Sequence, residues 1–111
     1  MIDFHSHVLP QMDDGPKSIR ESLEMLSQCF RQGVDAVVSS SHFYAYQEDP
    51  KAFLQRRGQR LRALREAMLC STEVYPRIIP GAEVLYFPGI SQAREVAELS
   101  IAGRVILIEP P

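Results

Sequence analysis

The chain has 111 residues, a formal net charge of −2 and 45% hydrophobic side chains, which is the composition of one globular domain. It holds no apolar run of the roughly 18–20 residues that a membrane span needs, and it does not begin like a signal peptide. Two cysteines argue against a disulfide framework, and the near-neutral charge argues against nucleic-acid binding. We therefore expect a cytoplasmic protein with no nucleic-acid partner and no membrane span.

Short β-branched runs alternate with longer stretches of helical period, a pattern typical of βαβ units and a parallel sheet. The runs predict four strands, over Met1–Phe4, Val34–Val38, Arg77–Ile79 and Arg104–Ile108. The last run is almost continuously apolar, which is typical of a strand buried on both faces. The predicted fold class is α/β.

Three helices are predicted between these strands, over Pro16–Gln32, from Asp49 and Pro50 to Met68, and over Ser91–Leu99. In the first two, the proline occupies the first helical turn, where its missing N–H is tolerated. Apolar residues at helical spacing predict the buried faces of these two helices. The faces are Ile19, Leu23, Leu26 and Phe30 in the first helix, and Leu54, Leu61, Leu64 and Met68 in the second.

Four β/α units form half of a parallel barrel, since a closed barrel takes about 250 residues and eight units. We therefore expect residues 1–111 to be one partial barrel domain that lacks the second half. A sheet that ends after its fourth strand leaves an open edge, which proteins normally cover or pair. The chain is accordingly predicted to be truncated, or to be closed by a partner such as a second copy of itself.

His5 and His7 stand two residues apart at the end of the first predicted strand. Because side chains alternate between the faces of a strand, both imidazoles are predicted to project to the same side. The carboxyl ends of barrel strands form the active-site face. Two imidazoles there indicate either a transition-metal site or an ordinary pair of surface histidines.

Other potential ligands follow each predicted strand. Asp13 and Asp14 follow the first, His42 the second and Glu83 the third, and Glu109 ends the fourth. This recurrence favours a metal cluster. The alternative, in which Asp14 caps a helix and Glu83 is a solvated loop acid, explains each residue singly but not the set.

Several segments in succession resemble the PHP-superfamily tyrosine-protein phosphatases, manganese-dependent enzymes of bacterial capsule and exopolysaccharide operons. The resemblance begins with the sequence MIDFHSHVLP at residues 1–10 and continues through MDDGPKS and ESLEM. It extends in order through Arg31–Val34, Ser41–His42, Gly81–Val84 and Leu107–Glu109. It implies a distorted β/α barrel with divalent metals, manganese in the first place and otherwise iron or zinc, at its mouth. The ligands that it implies are His5, His7, Asp14, His42, Glu83 and Glu109.

The resemblance also implies how these ligands are divided. His5, His7 and Glu83 correspond to ligands of one metal, through which they take part in catalysis. Glu83 bridges to a second metal, which Glu109 also holds, and the two remaining residues of the set belong to a third. By strand periodicity, Asp3 is predicted on the same face, supporting the histidines from behind.

The implied reaction is metal-assisted hydrolysis of phosphotyrosine in a protein, with an autophosphorylating bacterial tyrosine kinase as the substrate. Metals lower the pKa of bound water and neutralise the phosphate oxygens. In the family, further metal ligands and phosphate-binding arginines lie in a later region, beyond the part that corresponds to residues 1–111. Two alternatives stay open: a phosphatase for a small molecule resembling histidinol phosphate, and an inactive fragment or interaction module. Asp14 disfavours the small-molecule group, which usually has a histidine there.

A cysteine nucleophile is not predicted. The Cys-x5-Arg pattern fails because Asp35 follows Cys29, and Pro76 follows Cys70, at the arginine position. Both cysteines are predicted to be packed helix residues. The Gly-x-Ser-x-Gly elbow and the glycine-rich nucleotide motifs are also absent from the sequence.

Two further features have two interpretations each. Phe43, Tyr44 and Tyr46 follow His42 in a loop at the predicted barrel mouth, where they either pack in the core or flank a phosphotyrosine ring. Five arginines of the second helix form either a solvated face or a basic surface for the acidic tail of a kinase. They are Arg56, Arg57, Arg60, Arg62 and Arg65.

Overall fold

A computed structural model describes residues 1–90, 98–101 and 105–110. In this part of the chain, two helices and six strands form two three-stranded parallel sheets, ordered β1-β2-β4 and β3-β5-β6. The α/β class with parallel strands is therefore confirmed. The elements are β1 (Ile2–Ser6), α1 (Ile19–Arg31), β2 (Ala36–Ser39), β3 (His42–Phe43), α2 (Pro50–Leu69), β4 (Arg77–Pro80), β5 (Glu83–Leu85) and β6 (Leu107–Glu109).

The chain passes from the first sheet to the second at two places, between β2 and β3 and between β4 and β5. Backbone hydrogen bonds bridge this break: the N–H of Gly81 donates to the carbonyl of Ser39 (3.1 Å), and the N–H of Glu83 donates to that of Ser41 (2.9 Å). The two crossings therefore stay aligned. As a result His42 and Glu83 are direct partners in the β3–β5 register.

The prediction of four strands was wrong in number, because β3 and β5 are additional. Each is only two or three residues long and follows a preceding strand after a two-residue break. Elements this short have no measurable alternation of apolar and polar residues, and Ser40-Ser41 and Gly81-Ala82 resemble turns in the sequence.

The predicted fourth strand was wrong in its bounds and in its burial. It begins at Leu107 rather than Arg104, because the backbone of Val105 forms an antiparallel bridge with Ile101 (N–H···O 2.6 and 3.2 Å). Val105 and Ile108 are about half exposed. Within the described residues, β6 pairs with β5 alone, so one edge and part of its surface remain open.

Helix α1 begins three residues later than predicted, at Ile19 rather than Pro16. Ser18 caps it by accepting a hydrogen bond from the N–H of Glu21 (3.2 Å), and the Glu21 carboxylate accepts from the N–H of Lys17 (2.7 Å). Two orphan donors at the helix start are thus satisfied, as in a capping box. Phe30, expected in the core, is 39% exposed.

Helix α2 begins at Pro50 as predicted, although the Asp49 side chain makes no capping hydrogen bond. Leu61 and Leu64 are buried as expected, and Phe53, which the predicted face omitted, is fully buried as well. The core lies between these two helices and the sheets, and it includes the fully buried Val8, Leu9, Leu26, Val37, Val84 and Leu99.

Arginines of α2 hold the helix to neighbouring backbone. The guanidinium of Arg56 donates to the carbonyl of Met12 (3.1 Å), that of Arg57 to Gly81 (2.9 Å) and that of Arg65 to Ile78 (3.0 Å). Burial lowers the pKa of Arg57. These contacts favour a structural role for the three arginines over a free basic surface.

Other sequence predictions have mixed outcomes. Cys29 packs against the core, whereas Cys70 is exposed at the end of α2, so its predicted packing was wrong. The predicted helix over Ser91–Leu99 lies largely outside the described residues. No helix in the described ranges is both long and apolar enough to cross a membrane.

Two glycines give opposite expectations for stability. A Cβ at Gly81 would lie 2.9 Å from Ile101 Cγ1 and 3.0 Å from Val38 Cγ1, whereas a Cβ at Gly58 meets nothing within 4 Å. We expect Gly81→Ala to lower the free energy of unfolding by about 1–3 kcal/mol through overpacking. Gly58→Ala, in the interior of α2, should raise it by about 0.5–1 kcal/mol. Urea unfolding of both variants tests this; equal effects would contradict it.

Candidate metal centre

Imidazole and carboxylate groups converge where the two sheets meet. They form three overlapping groups, and within each group the potential ligand atoms lie within 4.8 Å of one another. All six side chains selected from the sequence are brought together, and Asp13 joins them. The groups are His5, His7 and Glu83; His42, Glu83 and Glu109; and His7, Asp13, Asp14 and His42.

The first group is built on the end of β1. The rings of His5 and His7 lie 5.4 Å apart, with their Nε2 atoms separated by 3.3 Å, as the two-residue spacing predicted. His5 Nε2 is in direct contact with Glu83 Oε1, and His7 Nε2 lies 3.4 Å from the same oxygen. Three potential ligand atoms therefore face one another.

The second group is built on β3, β5 and β6. His42 Nδ1 lies 3.6 Å from Glu83 Oε2 and 3.3 Å from Glu109 Oε2. The two oxygens of Glu83 thus face different histidines. This follows from the backbone, because Glu83 pairs with His42 on one side and with Leu107 of β6 on the other.

Two atoms of the second group, His42 Nδ1 and Glu109 Oε2, are buried and have no hydrogen-bond partner among the described residues. A buried polar atom left unpaired costs about 1–3 kcal/mol, so such atoms need an explanation. Nitrogen and carboxylate oxygen are the donors that divalent transition metals prefer in proteins. The orphaned atoms and this donor set therefore fit a divalent cation.

Asp13 is the member of the cluster that the sequence placed after the first strand but that the implied ligand set left out. Its side chain is 8% exposed, and Oδ2 accepts hydrogen bonds from His7 Nδ1 (2.9 Å) and from the backbone N–H of His42 (3.0 Å). Oδ1 accepts from the N–H of Gly15 (3.0 Å). Asp13 thereby fixes the His7 ring and joins the loop after β1 to β3. The signal in the sequence was the Asp-x-Gly spacing of an Asx turn.

Opposing effects set the pKa values of this pair. Burial raises the pKa of Asp13, but hydrogen bonds from the N–H of His42, from His7 and from the N–H of Gly15 outweigh it, so that the pKa falls below 3.8. Burial lowers the pKa of His7, but the carboxylates of Asp13 and Glu83 outweigh it and raise the pKa above 6.5. Without a metal, the pair is therefore stabilised as an ion pair.

A glycine is required at position 15 because the backbone there lies close to His7 and Asp13. A Cβ at this position would lie 2.6 Å from the carbonyl oxygen of His7 and 3.2 Å from Asp13 Oδ1. Only a glycine lets the loop after β1 fold back onto His7 and Asp13. The Asp-Asp-Gly sequence is thus part of the construction of the centre.

Asp3 does not belong to the cluster. It accepts a hydrogen bond from the backbone N–H of His5 (3.0 Å), and it acts on the pKa of Cys29 on α1. The β1–β2 register shifts between Asp3 and Ser6. The hydrogen bond of Asp3 is to the backbone of His5, and the prediction that it supports the histidine rings from the same face stays a prediction.

The alternative interpretations of Asp14 as a helix cap and of Glu83 as a solvated loop acid are wrong. Ser18, not Asp14, caps α1, and Asp14 Oδ1 lies 3.9 Å from His42 Nε2, with the side chain 84% exposed. Glu83 is only 8% exposed, so it is not a solvated loop acid. Both acids therefore belong to the cluster.

The aromatic residues after His42 divide between core and site. Phe43 is buried against Phe53, with ring centroids 5.3 Å apart and an interplanar angle of 73°. Tyr44 stacks on His42 at 5.4 Å and 11°. Burial, with nearby acidic groups including Glu109, raises the pKa of the Tyr44 phenol. Of the three aromatic residues, Phe43 packs in the core.

This arrangement belongs to a known class. The family described as capsular polysaccharide synthesis, CpsB/CapC, matches residues 1–109. Because the match covers nearly the whole chain, the chain belongs to the CpsB/CapC family.

Particular relatives carry phosphatase names. Over 42 residues, 38% of this chain and 17% of the relative, the chain is 52% identical to tyrosine-protein phosphatase CpsB of Streptococcus agalactiae. Over its whole length, and 43% of the relative, it is 30% identical to tyrosine-protein phosphatase YwqE of Bacillus subtilis. It thus spans less than half the length of these relatives.

A solved structure is similar throughout the chain. It comes from crystal structures of YwqE from Bacillus subtilis and CpsB from Streptococcus pneumoniae, described as unique metal-dependent tyrosine phosphatases. The TM-score is 0.70 at 26% identity, covering 100% of this chain and 44% of the other. The similarity confirms the α/β fold of this part.

Asp13→Asn tests the ion pair in chelator-treated protein. The lowered pKa of Asp13 contributes stability above about pH 3.8, lost as the pH falls; the raised pKa of His7 contributes stability below 6.5, lost as the pH rises. The variant should therefore lose most stability between these values, about 1–2 kcal/mol. Urea unfolding at several pH values measures this. A loss that is constant across pH, or equal for the exposed neighbour Asp14→Asn, would contradict the pairing.

Proposed function

We propose that this chain is the metal-binding part of a protein-tyrosine phosphatase that hydrolyses phosphotyrosine with manganese and regulates capsular or exopolysaccharide synthesis. The observation that carries the proposal is that His42 Nδ1 and Glu109 Oε2, which lie 3.3 Å apart, are buried and form no hydrogen bond with the described residues, within a larger cluster of imidazoles and carboxylates. The family membership and the names of the relatives support the reaction. The natural context is a barrel of which residues 1–111 are one part.

The ligands proposed for the metals are the six residues His5, His7, Asp14, His42, Glu83 and Glu109. Metals bound there would lower the pKa of a bound water, so that hydroxide would be available near neutral pH, and they would neutralise the phosphate oxygens. Manganese is proposed among the metals that imidazole and carboxylate accept. His5, His7 and Glu83 are the proposed catalytic set, acting through the metals.

Glu83 is the proposed bridge between two sites. Its Oε1 faces His5 and His7, while its Oε2 faces His42. A carboxylate that serves two ligand groups fixes the distance between them, because its two oxygens are joined through one carbon. Its burial keeps water from competing for those oxygens.

Asp13 has a supporting role in this proposal. By accepting the hydrogen bond from His7 Nδ1, it holds the proton on that nitrogen and leaves Nε2 free to bind a cation. The same Oδ2 accepts from the N–H of His42, so one carboxylate positions parts of two ligand groups. Gly15 makes the close contact possible.

The substrate is proposed to be a phosphotyrosine protein, in particular an autophosphorylating bacterial tyrosine kinase, and the reaction to take place in the cytoplasm. A cysteine nucleophile has no support. Burial, with the nearby Asp3, raises the pKa of Cys29, which disfavours its thiolate, and Cys70 lies exposed at the end of α2.

Hydrolysis of p-nitrophenyl phosphate and of a phosphotyrosine peptide tests the proposal. We expect turnover with Mn²⁺, its loss with chelator, and a reduction of kcat/KM by at least about 100-fold in Glu83→Gln, because a ligand contributes more than an outer partner. Glu73→Gln, at an exposed acid, and the double variant Cys29→Ser/Cys70→Ser should keep the activity. Turnover that resists chelator would contradict the metal mechanism, and faster turnover of histidinol phosphate would reassign the substrate.

Exposed apolar side chains on the outer strands favour a second candidate, an interaction module that pairs through open sheet edges. Phe4 on β1 is 58% exposed and Ile108 on β6 is 46% exposed. Each of these strands pairs with a single neighbour within the described part. Another chain can form backbone hydrogen bonds with the free edge of such a strand and pack on its exposed apolar side chains.

Sedimentation of the purified chain tests this candidate. If it pairs through β1, the chain should form dimers or larger species with or without Mn²⁺, and Phe4→Ser should shift it towards the monomer by about tenfold or more in Kd. Phe30→Ser, at an exposed aromatic residue of α1, is the matched control. A monomer at every concentration would exclude pairing of two copies.

A further inference from the structure

A turn beside the candidate metal centre presents an aromatic ring to solvent. Tyr46 is 73% exposed, and its ring lies 5.8 Å from that of Tyr44 at an angle of 45°. Tyr44 in turn stacks on His42, one of the proposed ligands. A continuous row of rings therefore leads from the cluster out to the surface.

The turn that carries Tyr46 is held in place. The carbonyl of Tyr44 accepts hydrogen bonds from the N–H groups of Gln47 (3.0 Å) and Glu48 (3.2 Å). Before the turn, Phe43 is fixed in the core; after it, Glu48 pairs with Arg56 at 2.6 Å. The exposed ring thus stands on a turn tied to the core at one end and to α2 at the other.

Arg56 links this turn to the cluster as well. Its second guanidinium nitrogen donates to the carbonyl of Met12, the residue before Asp13. The loop that carries Asp13 and the turn that carries Tyr46 are therefore held by one side chain. Their separation is fixed by α2 rather than by flexible loop contacts.

We propose that Tyr46 determines specificity by packing on the aromatic ring of the phosphotyrosine substrate. The inference rests on the proposed function and names the part of the substrate that this residue recognises. In phosphotyrosine a single ester oxygen joins the ring to the phosphate. With the phosphate held by metal ions at the cluster, the substrate ring would lie beside the row formed by Tyr44 and Tyr46.

The chemistry favours aryl over alkyl phosphates. Offset or edge-to-face packing of two aromatic rings adds to the burial of their apolar surface. The phosphate esters of serine and threonine have no ring to offer, so they gain nothing from Tyr46. Gln47 Nε2 donates to the Tyr46 hydroxyl at 3.3 Å, which helps to fix the ring.

Binding of hydrolysis-resistant peptides tests the proposal without relying on turnover. The probes are a phosphonomethyl-phenylalanine peptide, a peptide of the same sequence with an alkyl phosphonate in place of the aryl one, and inorganic phosphate, each titrated by calorimetry into the Mn²⁺-loaded chain. We expect Tyr46→Ala to weaken binding of the aryl peptide about threefold to tenfold and to leave the other two probes unchanged. Tyr46→Phe should bind like the unmodified chain.

Phe30→Ala is the matched control, since it removes an exposed aromatic ring on α1 and should change none of the three affinities. Equal weakening of the aryl and alkyl peptides by Tyr46→Ala, or no weakening of either, would overturn the role of Tyr46 and leave the phosphatase proposal standing. If the unmodified chain binds inorganic phosphate but does not prefer the aryl peptide to the alkyl one, the role of Tyr46 is likewise overturned and the phosphatase proposal stands. Failure to bind any of the probes would overturn both proposals.

Discussion

The contacts of the Glu83 carboxylate with three histidines are the interaction on which the rest of this structure depends. A buried carboxylate is costly unless it is paired, and Glu83 at 8% exposure faces His5 and His7 with one oxygen and His42 with the other. To bring those groups together, the chain must leave one sheet and enter the next at matching places. Gly81, two residues before Glu83, fits closely against Val38 and Ile101 and fixes that crossing. Packing in the core and chemistry in the centre thus meet in three consecutive residues.

Much of the centre could be predicted because its signal is local. Two histidines at a spacing of two reveal a shared face, and a polar ligand after each apolar run reveals a shared sheet edge. Asp13 was named as a potential ligand but left out of the implied ligand set, because its role depends on contacts with His7 and with the backbone of His42, 29 residues away. A sequence shows which residues are acidic, but not which acid turns inward: Asp14 is the more exposed of the adjacent pair.

The errors in the fold have a common physical cause, which is that pairing between distant segments overrides local pattern. Strands β3 and β5 exist because β3 pairs with β5 and β5 pairs with β6, not because two or three residues favour extended structure. The register of β1 against β2 shifts between Asp3 and Ser6, an irregularity that the regular alternation of a strand does not foresee. Phe30 was wrongly included in the predicted face of α1, because a helical face seen in sequence is wider than the stripe that its neighbours cover. The predicted face of α2 omitted the buried Phe53.

The side chains of the cluster differ in their exposure to solvent. Under the proposed function, this difference indicates from which side a substrate would approach. Glu83 is buried, and the side chains of Asp13 and His42 are only 8% and 15% exposed, whereas those of His5 and Asp14 are 55% and 84% exposed. Electrostatic interactions are strongest where water is excluded, so the buried members hold the architecture of the centre. Under the proposed function, the exposed members and the exposed ring of Tyr46 would be the groups that an incoming phosphate ester meets first. Because Asp13 joins His7 to the backbone of His42, the open and buried parts of the cluster are rigidly connected, and binding at the open side acts on a preorganised site.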